Sequence, residues 1–297
     1  MNLRHLKIFL TVAECQNMHR AAEKLYIAQS TVSQAIREIE EEYGVKLFER
    51  LSRRIYLTET GELLLSYARH ILSSAEEMEH ALRHRSQSPI LRLGGSVTVG
   101  TCLLDGIIDH IQQTLPGAQL YITVDNTSSI ESFLLTNELD AAVVEGVISS
   151  PDLMQLPVFE DELVIAAGKN HPLSALPKVT LSDLEKQRLI SRESGSAERN
   201  QFEKILRQNG IHMVRLWQCT NTEAIKNAVI HGRGLAILSR LLLQNELERG
   251  QIKILPLEDI CVKRTIHLVY HKNKYISPVM EALQQACNAL SGQCANT

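Results

Sequence analysis

The sequence carries no excess of basic residues to announce a nucleic-acid partner. Its 31 Lys and Arg stand against 34 Asp and Glu, a formal net charge of −3. A bulk-charge argument for DNA or RNA therefore fails, and any such case must rest on local features. No apolar run approaches the ~20 residues of a membrane span. The opening stretch MNLRHLKIFL alternates charged and apolar residues instead of building the apolar core of a secretion signal. The expectation is a cytoplasmic protein without a membrane partner. The six cysteines, Cys15, Cys102, Cys219, Cys261, Cys287 and Cys294, are scattered with no CxxC pair. That favours free thiols over disulfides or a thiolate metal centre. HExxH, His-x-His, GxSxG and paired Cys/His sets are missing, and GSVTVG at 95–100 has neither dinucleotide-loop glycine spacing nor a Walker lysine. Asp140, Glu145, Asp161 and Glu162 fall near strand ends, but no spacing ties any two into an acid/base pair. No enzyme, metal or cofactor is expected.

What is present reads as a multidomain globular chain: 297 residues, 44% hydrophobic and 22% charged. Residues 1–60 hold short helical patterns. Leu3, Leu6, Leu10 and Ala13 repeat at helical spacing; Asn17 can cap a second helix through Ala21, Ala22 and Leu25. A turn at Tyr26–Ala28 leads to a third helix with Val32, Ile36, Ile39 and Tyr43 on one face, stopped by Gly44. Residues 45–57 look like a two-stranded wing. From Thr58 to about Arg85 one long helix is expected, with Leu64, Ala68, Ile71, Ala75, Met78 and Leu82 stepping by four and three, a coiled-coil seam. Ser86–Pro89 then reads as a hinge. Beyond it, apolar strands alternate with helical segments, which predicts a mostly parallel sheet flanked by helices.

The polar face of the third helix carries Gln29, Ser30, Thr31, Ser33, Gln34 and Arg37, residue types that reach base edges and phosphates from a major-groove helix. With the short helix before it, the pair is a helix-turn-helix candidate. Arg50, Arg53 and Arg54 in the wing can neutralise phosphates beside the groove, with Thr58 next to them.

The segment AAEKLYIAQSTVSQAIREIEEEYGVKLFER followed by RRIYLTETG closely resembles the N-terminal domain of LysR-type transcriptional regulators. The matching positions are Ala21, Ala22, Leu25, Gln29, Val32, Ser33, Ile36, Ile39, Glu40, Gly44, Leu47, Phe48, Arg50, Leu57, Thr58 and Gly61. Three positions depart from the family pattern: Ala28 stands where a hydroxyl is usual, Ser30 where Pro is frequent, and His19 replaces a hydroxyl residue. The resemblance implies an α+β multidomain protein. A winged helix-turn-helix would span 1–58 and a linker helix 59–87. A two-subdomain, periplasmic-binding-protein-like sensing domain would follow, with subdomain I at 88–162 and 267–297 and subdomain II at 163–266. The stretches LDAAVVEG, LISRESGSAERNQFE and TEAIKNAVIHGRGLAILS resemble the cysteine-metabolism and carbon-fixation regulator branch. A dimer or tetramer on an inverted-repeat operator in double-stranded DNA, with RNA polymerase as a partner, is implied as well.

Four places put small polar residues where a helix begins after a strand: Ser96, Thr98 and Thr101; Asn126 and Thr127; Ser194 and Ser196; and Thr222. Helix-start N–H groups and hydroxyls attract anions, and plain N-caps look the same from sequence. With Glu145 and Arg192 these residues are the expected lining of an effector cleft between the subdomains. A small anion is the expected ligand. Two other readings stay open: a ligand-binding protein whose N-terminal helices serve assembly alone, and a thiol redox sensor. The latter would need a reactive and a resolving cysteine close together, whereas Cys102 and Cys219 fall in different expected subdomains.

Overall fold

The computed structural model describes residues 1–51, 54–83, 89–258 and 261–293. It divides into two compact units, Met1–Gln87 with Leu135–Asn137, and Ser88–Leu134 with Glu138–Thr297.

The first unit is built from helices α1 (Leu3–Cys15), α2 (Met18–Leu25) and α3 (Gln29–Tyr43), a hairpin of β1 (Phe48–Leu51) and β2 (Arg54–Leu57), and the long α4 (Glu59–Arg83). Asn17 starts α2 by accepting the backbone N–H groups of His19 and Arg20 at 2.9 and 3.1 Å. Tyr26 then turns the chain at φ +55°. Ala21 and Ala22 are buried, and their small side chains let α2 lie close to α1 and α3. Phe9, Val12, Val32, Ile36, Ile39 and Leu47 complete the core. The glycine of the LT-x-x-G motif has a steric reason: a Cβ on Gly61 would overlap the Leu47 carbonyl oxygen, so only glycine lets α4 start against the wing.

The expected seam on α4 divides in two. Leu64, Leu65, Ala68 and Leu72 pack into this unit's own core. Ile71, Met78 and Leu82 stand exposed. The seam expectation is corrected for Leu64 and Ala68, because the first turns of the helix finish the helix-turn-helix core.

The second unit is a nine-stranded mixed sheet in the order β4-β3-β5-β11-β6-β9-β7-β8, with β10 (Ile252–Ile254) added on β6. One half carries β3 (Ile90–Ser96), β4 (Gln119–Asp125) and β5 (Ala141–Glu145), in parallel pairs. The other carries β7 (Arg188–Arg192), β8 (Val214–Cys219) and β9 (Leu235–Ser239), also parallel. Two long strands, β6 (Leu153–Gly168) and β11 (Val262–His271), run antiparallel to each other through both halves. They bring antiparallel pairings into a sheet expected to be mostly parallel. Helices α5 (Val97–Cys102), α6 (Leu104–Thr114), α7 (Thr127–Leu135) and α11 (Pro278–Gln293) belong to the first half; α8 (Ala197–Gln208), α9 (Thr222–Ile230) and α10 (Gln244–Glu248) belong to the second. Each half has its own apolar core, one around Leu93, Ile107, Ile111, Ile266 and Leu283, the other around Leu163, Leu184, Leu189 and Phe202.

Candidate DNA-reading helix and effector cleft

Helix α3 presents Gln29, Ser30, Gln34 and Arg37 to solvent, with Thr31 and Ser33 half-buried beside them. Its N-cap Ala28 makes no side-chain cap, so the first N–H groups are left for an external acceptor such as a phosphate. Gln34 Nε2 donates one N–H to Glu38 Oε1 at 3.0 Å, a bond that uses neither its second N–H nor its Oε1. The backbone of Arg50 and Arg54 lies on the wing hairpin, while Arg53 is outside the described residues. Thr58 does not serve as a spare donor. Its hydroxyl donates to the Lys46 carbonyl at 2.6 Å and accepts the Gly61 N–H at 3.0 Å, which ties the wing to the start of α4.

In the second unit the carboxyl ends of β3, β5 and β7 meet the middle of β6 and β11 in a buried charged cluster. Glu145, Asp161, Glu193 and Glu198 supply four carboxylates, and Arg192 and Arg264 supply two guanidiniums; all six residues are buried. Arg264 Nε donates to Asp161 Oδ2 at 2.6 Å. Its Nη2 donates to Glu198 Oε1 at 3.3 Å and to Thr98 Oγ1 at 3.2 Å. Its Nη1 lies 3.6 Å from Glu145 Oε1 without a hydrogen bond. Arg192 grips Glu193 with Nε and Nη2 at 2.9 and 3.0 Å, and its Nη1 donates to Glu198 Oε2 at 3.3 Å. The Ser96 hydroxyl donates to Glu145. The single proton of Thr98 Oγ1 serves Glu145 Oε1 (3.2 Å) or Glu198 Oε1 (3.1 Å). Ser239 adds its N–H to Glu198 at 3.3 Å and its hydroxyl to Asp161 at 2.8 Å.

Burial is the main cause that pushes the Glu198 carboxyl up; Arg264 and Arg192 oppose it, and Glu145 adds to it. Arg264 is held above its ordinary range even though burial works strongly against its charge, because Glu145, Glu198 and Asp161 surround it. Cys102, close to the same carboxylates, has its thiol pushed up to about 11, first by desolvation and then by Asp161. That is the reverse of what a reactive thiolate needs.

Of the residues expected in the cleft, Ser96, Thr98, Glu145 and Arg192 converge in this cluster. Thr127 is one step away, its hydroxyl donating to the Glu145 carbonyl at 3.1 Å. Asn126 lies at one lip: Gly195, at φ +90°, approaches so closely that a Cβ would sit 2.8 Å from Asn126 Oδ1. Beside it the Ser128 hydroxyl donates to the Gly195 carbonyl at 3.2 Å, closing this lip from the opposite half. Ser196 is buried as the N-cap of α8, and Ser194 is exposed. Thr101 is exposed, its hydroxyl turned back to the Val97 carbonyl at 2.7 Å. Thr222 is buried with its hydroxyl unpartnered. Asp161, Glu198, Ser239 and Arg264 were not anticipated as site residues. A signal for Arg264 existed: strand alternation puts it on the inward face with Val262 and Ile266.

A winged helix-turn-helix and, in the same chain, a two-lobed α/β unit with a polar cleft define a ligand-sensing DNA-binding regulator. The profile described as "Bacterial regulatory helix-turn-helix protein, lysR family" matches residues 3–62, and "LysR substrate binding domain" matches 84–291. The chain belongs to the LysR family of transcriptional regulators. It is similar to the "HTH-type transcriptional regulator CysL" of Bacillus subtilis, 30% identical over 93% of this chain and 91% of that protein. It is 34% identical to the "Probable RuBisCO transcriptional regulator" of Cyanidioschyzon merolae, over 93% of each chain. The solved regulatory domain of Synechocystis CcmR in complex with 2-PG shares the fold at a TM-score of 0.65 and 24% identity, over 69% of this chain and 98% of that one. Among the described residues, no helix is long and apolar enough to cross a membrane.

Proposed function

We propose that this regulator reads an inverted-repeat operator as a cytoplasmic homodimer or homotetramer, and that a small effector in the cleft sets its contact with DNA and RNA polymerase. The polar, uncapped start of α3 carries the reading, since it offers Gln29, Ser30 and Arg37 together with free helix-start N–H groups. Dimerisation is supported by the exposed Ile71, Met78 and Leu82 on α4. The sheet edges support it too: β4 exposes Tyr121, Ile122 and Val124, and β8 exposes Val214, Leu216 and Trp217. Two reading heads related by a twofold axis match a twofold site.

The effector reading rests on the converging donors of the cleft. Ser96, Thr98, Arg192 and Arg264 are aimed at carboxylate oxygens, which favours an anionic ligand; a solved neighbour of the same fold holds 2-PG. A ligand touching both subdomains binds the closed form better than the open one, which is the requirement for shifting a population.

The test is titration of duplex DNA over a range of salt. Wild type should bind an inverted repeat with a steep salt slope. Gln29→Ala should lose about 1–3 kcal/mol of discrimination at one base position. Salt-independent binding, or unchanged base preference in the variant, would exclude α3 as the reader.

A further inference from the structure

We propose that Glu198 is a built-in competitor seated in the anion receptor of the cleft, so that a small monoanion such as a carboxylate enters by displacing it. This rests on the cleft reading given above. Four donors converge on the one side chain. Ser239 N–H (3.3 Å), Arg264 Nη2 (3.3 Å) and Thr98 Oγ1 (3.1 Å), whose one proton is contested by Glu145, reach Oε1, and Arg192 Nη1 (3.3 Å) reaches Oε2. They come from α5, β7, β9 and β11, so elements of both subdomains contribute. Two guanidinium donors, a backbone N–H and a hydroxyl around one buried carboxylate are what a receptor for a carboxylate ligand requires. Here the occupant is tethered, at the second residue of α8.

The occupant is also poorly suited to permanent residence. Glu198 is buried with Glu145, Asp161 and Glu193, and four carboxylates share two guanidiniums. One donor, Arg264 Nη1, remains without an acceptor inside the cluster. A free carboxylate that replaces Glu198 leaves the formal charge of the receptor unchanged and brings no strain from a helix backbone. Its affinity is then the difference between two carboxylates competing for the same donors, which sets a threshold concentration. Displacement also replaces the direct link from α8 to Thr98 across the cleft by a link through the ligand, so entry of the ligand is coupled to the contact between the subdomains.

Glu198→Ala removes Cγ and the carboxylate, a gap the size of acetate. Full-length wild type and variant are titrated with acetate, with chloride at matched ionic strength and acetamide as controls, by calorimetry and by the shift in melting temperature. The variant should bind acetate at least about tenfold more tightly than wild type, since charge-assisted hydrogen bonds are regained. Acetamide and chloride should have no saturable effect. Equal acetate affinity in both proteins, or none in the folded variant, overturns the proposal. If Glu198→Ala folds only in acetate, the proposal is upheld; if acetate does not restore folding, Glu198→Gly, which leaves an opening at least as large, is titrated and decides. Operator binding measured alongside separates the two readings. Acetate binding without any change at the operator upholds the receptor and removes the cleft as the switch. An effector response in wild type that persists unaltered in a variant blind to acetate removes the role of Glu198 and leaves the cleft reading standing.

Discussion

Replacing Arg264 by Met keeps an unbranched stem of similar reach and removes all donors. The guanidinium is held by Asp161 at 2.6 Å, Glu198 at 3.3 Å and Glu145 at 3.6 Å, with 2% of its side chain accessible. Breaking one buried pair by deleting a partner costs about 3–5 kcal/mol, because the remaining charge loses its compensation without regaining water. Here three carboxylates lose one shared guanidinium together, with Arg192 left on Glu198 and hydroxyls left on Asp161 and Glu145, so a cost within that range is expected at neutral pH. The Glu198 carboxyl, already pushed up by burial, then loses one of the two guanidiniums that oppose this, and its folded-state pKa rises further. A raised carboxyl pKa gives stability that is present at low pH and lost as pH rises, so the deficit of Arg264→Met should be largest near neutrality and shrink as pH falls toward about 5. Urea unfolding is suited to the measurement. The chain has one tryptophan, Trp217, on β8, so its fluorescence reports this unit and not the helix-turn-helix. Adding Asp161→Asn to Arg264→Met should return part of the loss, and the double-mutant cycle measures the coupling. A cost below about 1 kcal/mol, the range of exposed ion pairs, would refute the view that this cluster is closed to water.

Ile71→Asp should give monomers by light scattering and abolish operator binding, because a carboxylate would be placed in the exposed half of the α4 seam; a dimer of unchanged stability would count against that seam. Gly195→Ala should destabilise by about 1–2 kcal/mol from backbone strain alone. Contact with Asn126 Oδ1 should also open the lip, seen as faster hydrogen exchange at 126–128 and 194–197; unchanged exchange would place the lip contact outside the closure mechanism. Thr98→Ala with Ser196→Ala should remove the effector response while ligand-free operator affinity stays intact. A double variant that still responds normally would disprove the hydroxyl contribution.

The helix-turn-helix was legible in the sequence because its signals are local: Asn17 caps, Ala21 and Ala22 pack closely, and Gly44 stops α3, each within a few residues of its effect. The first half of β6 was not legible. Pro157 interrupts it, and a proline usually disqualifies an inner strand. The structure absorbs it where the ladder slips, with Phe159 opposite Ile266 and Pro157 opposite His267. The cleft was half legible. Ser96, Thr98, Glu145 and Arg192 lie where strand ends predicted them. Their partners Glu198 and Arg264 are 100 and 166 residues from Thr98, and no periodicity carries information over that distance. Ser96, Thr98 and Arg192 were therefore seen with Glu145 but without Glu198, the carboxylate on which Thr98 and Arg192 also converge.

The path of the chain through β6 and β11 bears on how this protein is made. The second half of the sensing unit is nearly contiguous in sequence: once β10 and Leu255 have emerged, its core lacks only Val262 at the start of β11. The first half is not contiguous: Leu93 and Ile107 need Ile266, Leu268, Met280 and Leu283 to cover them. During synthesis that half leaves the ribosome early and stays uncovered while the whole second half is translated between its two parts. Glu145 and Asp161 likewise emerge long before Arg264. The nascent chain thus carries an unfinished apolar face and unmatched acids through most of its elongation. Chaperone demand should concentrate there, and premature termination before β11 should yield fragments whose second half folds and whose first half is cleared by proteolysis.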